Sequence, residues 1–364
     1  MVNHCIKIGL ENNCSTLNKL SMLSYRNLQG YDILSYYKLN AISQAAGLLV
    51  QRKKDIKKGK KVKSPFVRKP FLVSCYGFKI NGMLLSFPVK NREFANILLT
   101  DHTVSEFSHE VKAKSFTITP TSLSISIQKE VPEIKPEGAI GIDRNLRNIT
   151  ISTPQRTIMY RTEKILSIKQ NSQHVRDSFR RFDVRVKNRF FSKHRCRQTR
   201  RVRQHLHKIS KHIVQEAKKT KSMIVFEDLT GIRRLYKKGN GQGKKFRKVM
   251  NQTIPNYEIQ RQVTYKAKWE GIPVYFVNPK RTSMLCPICG GLLQEDRQNR
   301  RKLLCNNCGK QMDRDVVASM NVARKGWARF THPGGLPDEA MKGNVENLQP
   351  LILRVHGSKL VAGS

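Results

Sequence analysis

The spacing of apolar residues changes character along the chain, and each change predicts a different kind of element. Over residues 1–60 the apolar positions recur every three or four residues. In LSYYKLNAISQAAGLLVQRKKD, Leu34, Tyr37, Ala41, Ala45, Leu48 and Leu49 fall on one face of a helix. KKDIKKGKKVKSPFVRKP (53–70) breaks that period with Gly and Pro. It predicts a basic linker, either a solvated connection or a loop that touches phosphates. Between 70 and 130 the period shortens to two. PFLVSCYGF and GMLLSF read as strands, and SFTITP-TS-LSISIQ as a hairpin with Leu123, Ile125 and Ile127 on one face.

VPEIKPEG (131–138) marks a boundary with its two prolines and glycine. AIGIDRNLRNITIST then predicts a strand, a tight polar turn and a second strand, with TIMYR (157–161) as a third. Residues 172–220 read as a long basic helical region, in which Val202, Leu206, Ile209, Ile213 and Ala217 form a stripe that must pack on something. SMIVFEDL is the next strand, and GNGQGKKFRK (239–248) a flexible basic loop. YEIQRQVTYKAKWEG is a helix, and IPVYFVNP a buried-looking strand. From 331 onward no period is evident, and a loosely ordered tail is expected.

Charge narrows the class of partner. Among 364 residues, 69 Lys and Arg face 26 acids, a formal net charge of +43. Such an excess calls for a polyanion. The basic residues run the whole length instead of forming one tail, and no run of about 18 apolar residues offers a membrane span. A long nucleic acid lying across several domains fits that spread better than a membrane surface.

Eight cysteines divide into four scattered ones (Cys5, Cys14, Cys75, Cys196) and two tight pairs, which reads as a metal site with a few buried thiols. Cys286-Pro-Ile-Cys289 and Cys305-Asn-Asn-Cys308 have the spacing of a four-thiolate zinc ribbon, with Gly290 and Gly309 where each knuckle needs permissive backbone. The alternative is a redox dithiol or a chance pairing. A closed four-sulfur site has no open coordination position, so such a zinc is structural.

The carboxylates carry more information. Asp143 ends the apolar strand AIGI and Glu227 ends MIVF. Either alone would read as a strand-end acid paired with an arginine. With a third acid leading a helix, they fit a set that converges on two divalent ions and hydrolyses a phosphodiester. Oxygen donors suit Mg²⁺ or Mn²⁺. From Asp315 the small or apolar residues Ala318, Ser319 and Val322 lie on one helical face, which would carry Asp315 to the sheet edge. Asp313, about 200° around the helix, is expected to cap its N-terminus. Asp228 should point to the opposite side of its strand from Glu227.

GIDRNLRNIT, IVFEDLTGIR, YKAKWEGIPVYFVNPKRTSMLCPICGG and CNNCGKQMDRDVVASMNVA together resemble the successive motifs of TnpB (OrfB) proteins, transposon-encoded relatives of the type V CRISPR nucleases. The resemblance covers about residues 110–330. It implies an α+β multidomain chain: a helical and β-wedge N-terminal region, then a split RuvC-like nuclease domain of RNase H fold with an inserted four-cysteine zinc ribbon. The layout expected from it is a helical recognition-like segment with linker at 1–69 and a β-rich wedge-like domain at 70–134. The first part of the nuclease follows at 135–284, with a basic helical insert at 172–220. The ribbon occupies 285–310, the last nuclease helix 311–330 and a flexible tail 331–364.

The resemblance further implies an RNA-guided DNA endonuclease of the cytoplasm and nucleoid. Its expected partners are a guide RNA from the transposon 3′ end and double- and single-stranded target DNA, with no membrane. On that pattern Asp143, Glu227 and Asp315 match the catalytic acids, holding Mg²⁺ or Mn²⁺, and Cys286, Cys289, Cys305 and Cys308 match the ligands of one zinc. Family chains begin with a basic wedge strand, whereas MVNHCIKIGLENNC reads as the interior of the helical segment, so an N-terminally shortened copy is expected. A non-cleaving RNA-guided repressor is a rival, but such relatives lose an acid and all three are present here. A recombinase is another, and the resemblance favours cutting over joining.

Overall fold

The computed structural model describes the whole chain except residues 70, 75, 108–110, 179–183, 231–255, 297, 333–350, 357–358 and 363–364. It separates into two compact units, Met1–Glu130 and Val131–Ser364.

The first unit opens with helices α1 (Val2–Glu11), α2 (Leu17–Ser24) and α3 (Ser35–Lys57). They close on Cys5, Ile6, Leu20, Leu28, Ile42, Ala45 and Leu49. Tyr37, Ala41, Ala45 and Leu49 of the expected α3 face are buried, whereas Leu48 is exposed. The buried face is therefore centred nearer Ile42 and Ala46. Cys5 and Cys14 are buried thiols, Cys196 is exposed, and Cys75 lies outside the described residues.

Strands β1 (Leu72–Ser74), β2 (Lys79–Asn81), β3 (Leu84–Lys90), β4 (Glu93–Leu98), β5 (Val111–Thr119) and β6 (Ser122–Lys129) follow, with the short helix α4 (Asp101–Ser105) between β4 and β5. They form two antiparallel sheets, β1-β5-β6 and β2-β3-β4, over a core of Leu85, Phe87, Leu99 and Phe116. In the expected hairpin Leu123 pairs Ile118, Ile125 pairs Phe116 and Ile127 pairs Ala113. Its turn is Pro120–Thr121, one residue earlier than TS. Proline has no N–H for the ladder and a fixed φ, so it belongs in the turn.

The second unit is built on one sheet. Strands β7 (Gly138–Arg144), β8 (Asn148–Ser152) and β9 (Arg156–Arg161) form an antiparallel meander. Helices α5 (Glu163–Asp177) and α6 (Val184–Lys219) then lead to β10 (Ser222–Glu227), and α7 (Asn256–Trp269) leads to β11 (Val274–Val277). Both β10 and β11 join in parallel, giving the order β11-β10-β7-β8-β9. Parallel neighbours need a long crossover, which the helices supply. The single basic helical region expected at 172–220 is thus two helices, and the first starts earlier, at Glu163. The basic loop expected at 239–248 lies outside the described residues. β11 is an edge strand with Val274, Tyr275 and Phe276 only partly buried.

Alternation along β10 assigns the two faces of the sheet. Ile224 and Phe226 point into a core with Leu206, Ile213 and Val263 of α6 and α7. All five residues of the α6 stripe are buried. Met223 and Val225 point the other way, into a core with Val322 and Trp327 of α8 (Arg314–Thr331). Between β11 and α8 the chain makes a small antiparallel sheet of β12 (Leu293–Glu295), β13 (Lys302–Cys305) and β14 (Gln311–Asp313).

The loose tail expected at 331–364 is corrected where it is described. Leu351–His356 (β15) pairs in parallel with β9, and Lys359–Ala362 (β16) pairs antiparallel with β15. LILRVH and KLVA are short aliphatic runs around Gly357 and Ser358, a hairpin composition.

Helix α8 crosses β7 so closely that a Cβ on Gly141 would lie 2.0 Å from the Ser319 carbonyl oxygen. That contact cannot be relieved by a flexible side chain, because the atom met is backbone. Gly141→Ala should therefore destabilise the second unit by about 1–3 kcal/mol or more, read as a lowered midpoint in thermal or denaturant unfolding.

Candidate metal sites at the sheet edge and in the cysteine ribbon

β7 and β10 run in parallel register with Phe226 beside Ile142, so their ends bring Glu227 beside Asp143. Both acids share the strand parity of Ala139 and Val225, which puts them on the face that α8 covers. The fold thus brings together two carboxylates far apart in sequence. α8 supplies the third. Asp315 in its first turn is buried at 8% exposure, and Ala318, Ser319 and Val322, the face expected to pack on the sheet, are buried with it.

Each carboxylate has a dedicated polar partner. Asn145 Nδ2 donates to Asp143 Oδ2 at 2.6 Å. Asn148 Nδ2, at the start of β8, donates to Asp315 Oδ2 at 2.7 Å, and Arg301 from the turn before β13 also pairs with that oxygen. Thr282 Oγ1 donates to Glu227 Oε1 at 2.8 Å. From the opposite side Arg144 donates to the Glu227 backbone carbonyl at 2.6 Å and to Gln260 Oε1 at 2.7 Å, with its guanidinium over the Phe226 ring.

Burial at this edge raises the proton affinity of all three acids, and crowding of like charge adds to it at Asp143. Burial first, then repulsion from Glu227 and Asp315, pushes the Asp143 carboxyl up to about 7. Burial likewise raises Glu227 and Asp315, against the pull of Thr282 on the one and of Asn148 and Arg301 on the other. A folded-state value raised above the unfolded one adds stability below about pH 4 that is lost as pH rises through about 7. In metal-free protein that loss is on the order of 4 kcal/mol for Asp143. Asp143→Asn should therefore gain stability over the wild type between pH 4 and pH 8, and a divalent ion should close the gap. Unfolding midpoints of both proteins across that range check this; parallel curves would contradict it.

Asp313 does not join the set. It is the N-cap of α8, its Oδ1 accepting from the Asp315 N–H at 2.8 Å. Asp228 is exposed and accepts from the Thr230 N–H at 2.9 Å, away from Glu227.

The four paired cysteines do converge. Their sulfurs all lie within 4.8 Å of one another, the only such group of His, Cys, Asp or Glu among the described residues. Cys286 and Cys308 sulfurs are 3.8 Å apart and those of Cys289 and Cys305 3.3 Å. A tetrahedron of Zn–S bonds of about 2.3 Å has edges of about 3.8 Å, so the spacing fits such an ion. Both knuckles close alike: the Gly290 N–H reaches the Cys286 carbonyl at 2.9 Å, and the Gly309 N–H the Cys305 carbonyl at 3.0 Å. Their φ angles, 74° and 67°, are left-handed. That is the backbone glycine supplies without strain.

Sequence reasoning missed the polar partners. Asn145, Asn148 and Thr282 are ordinary turn and strand-end residues by pattern, and only the tertiary fold shows that each meets a carboxylate. Asn145 alone carried a signal, two residues after Asp143 in the turn.

The fold and the sequence have known relatives. Residues 257–322 match the family model described as Cas12f1-like, TNB domain. The solved structure described as a Cas12f1–sgRNA–target DNA complex superposes with a TM-score of 0.57, covering 88% of this chain and 79% of that one at 14% identity. The fold is therefore a mixed α and β architecture of the Cas12f kind. A TnpB-like protein of Methanocaldococcus jannaschii is 35% identical over 266 residues, 68% of this chain and 92% of the relative. The chain belongs to the TnpB family, which is related to the type V effectors. A putative RNA-guided DNA endonuclease of Escherichia coli, InsQ, is 27% identical over 228 residues, 57% of this chain and 54% of that protein. Among the described residues no helix is long and apolar enough to cross a membrane.

Proposed function

We propose that the chain is an RNA-guided DNA endonuclease of the insertion-sequence type, with a split RuvC-like nuclease domain of RNase H fold. The observation that carries the reading is the convergence of Asp143, Glu227 and Asp315 on one sheet edge, where burial raises all three and repulsion from the other two raises Asp143 further. Burying three carboxylates together is costly even with their hydrogen bonds, and hard divalent cations are the ions that such oxygen ligands suit. The three acids would hold Mg²⁺ or Mn²⁺, which when bound supply an activated water and neutralise charge on the leaving 3′ oxygen of a DNA phosphodiester. The chain's own part is to aim the donors. Asn148 fixes Asp315, Asn145 fixes Asp143, and Arg144 holds the end of β10. The cysteine ribbon would hold one structural zinc through Cys286, Cys289, Cys305 and Cys308.

The net charge of +43 supports a nucleic-acid partner, and relatives described as RNA-guided or as bound to guide RNA and target DNA support the kind. The guide is a discrete RNA from the transposon 3′ end, and the targets are double- and single-stranded DNA in the cytoplasm and nucleoid. Purified protein should carry that RNA and release it steeply with salt, with a log–log slope of about −0.7 to −0.9 per phosphate contacted. Sequencing the bound RNA checks the guide: one species from the gene's 3′ flank is expected, and a random sample of cellular RNA would refute it.

A further inference from the structure

Between β11 and the first knuckle runs the segment Asn278-Pro279-Lys280-Arg281-Thr282-Ser283-Met284-Leu285. An Asn-Pro start predicts a turn, and the turn forms: Asn278 Oδ1 accepts from the Lys280 N–H at 3.0 Å. At its crest Arg281 takes a φ of 62°. A non-glycine residue in that region is strained and persists only where its surroundings enforce the shape.

The surroundings are two buried side chains of α8, one turn apart. Asn321, fully buried, donates from Nδ2 to the carbonyls of Thr282 and Leu285, both at 2.8 Å. Lys325, 3% exposed, places Nζ on the Lys280 carbonyl. Residues this polar are seldom buried on a helix face unless the bonds they make are needed. The backbone they hold includes Thr282, which is 5% exposed. Its hydroxyl lies 2.8 Å from Glu227 Oε1 and 3.0 Å from the Pro279 carbonyl. A hydroxyl has one proton for these two acceptors, and an ionised carboxylate is the stronger.

We infer that Thr282 is a positioning residue for Glu227, aimed by Asn321 and Lys325 through the strained loop, and that its hydroxyl sets how well the sheet-edge acids take up divalent ions. The inference rests on the proposed reading of those acids as a metal site. One consequence is that the connection from sheet to ribbon belongs to the active centre and is more than a tether.

The test is a Mn²⁺ titration of the full-length, RNA-free chain, followed by the electron paramagnetic resonance signal of free Mn²⁺. Thr282→Val keeps the shape and removes the donor; Thr282→Ser keeps the donor and removes a methyl. Valine should weaken Mn²⁺ binding about 10–100-fold, the usual loss when a ligand's hydrogen-bond partner is removed, while serine stays near the wild type. Should the valine variant fail to fold, judged by its unfolding transition, Thr282→Ala replaces it. Asn321→Ala should weaken binding in the same direction and add little to Thr282→Val, because both act through one hydroxyl. Equal Mn²⁺ affinity in wild type and valine variant, or serine as weak as valine, overturns the positioning role. If Asp143→Ala binds Mn²⁺ as well as the wild type, the reading of the acids as a metal site fails first, and the inference with it.

Discussion

Replacing any one of Asp143, Glu227 or Asp315 by Ala should reduce DNA cleavage by more than about 100-fold, since even a ligand's hydrogen-bond partner is commonly worth 10–100-fold. The three come from separate elements and share no sequence neighbour, so an equal loss from each would reflect one shared site. RNA and DNA binding should survive, because three acids add nothing favourable to phosphate contacts. Asp313→Ala is the control, expected to cost only a helix cap, about 0.5–2 kcal/mol of stability, with cleavage retained. Cleavage assays beside filter binding and thermal unfolding separate these effects. Loss of cutting in Asp313→Ala with retention in Asp315→Ala would reverse the assignment of the two aspartates.

The second large effect is expected at the cysteines. Wild-type protein should contain one zinc per chain, and Cys305→Ser with Cys308→Ser should contain none. Small zinc modules gain about 10–16 kcal/mol from their ion, and the ribbon's three short strands of three or four residues bury little else. The damage should spread to cleavage. β14 runs straight into α8, where Asp313 caps the helix, and Arg301 of the ribbon pairs with Asp315. Elemental analysis with a cleavage assay checks both parts. Zinc retained by the double variant would contradict the ligand set.

Legibility in the sequence followed the range of the interaction. The helical face of α8 could be read from Asp315, Ala318, Ser319 and Val322, because side chains three and four apart lie together on any helix. Asp313 as cap and the two glycines after the knuckles were likewise local. The neighbouring positions of Asp143 and Glu227 could be suspected only from their both ending apolar strands; the parallel register that makes them adjacent is a tertiary fact. Asn148, Thr282 and Asn321 were invisible, since each bonds a group 36 or more positions away. The strands at 351–362 were missed because short aliphatic runs carry a weak period, and what pairs β15 is the distant edge of β9.

The central claim, that this chain cuts DNA where an RNA directs it through the Asp143, Glu227 and Asp315 site, is tested most directly by reprogramming. Protein bound to its 3′-flank RNA, with the guide portion replaced by an arbitrary sequence, is incubated with Mg²⁺ and a library of plasmids carrying the matching target beside randomised flanking bases. The account predicts breaks only in plasmids that match the guide, moving when the guide is changed and absent in Asp143→Ala. Breaks that ignore the guide, or that persist in Asp143→Ala, would contradict it.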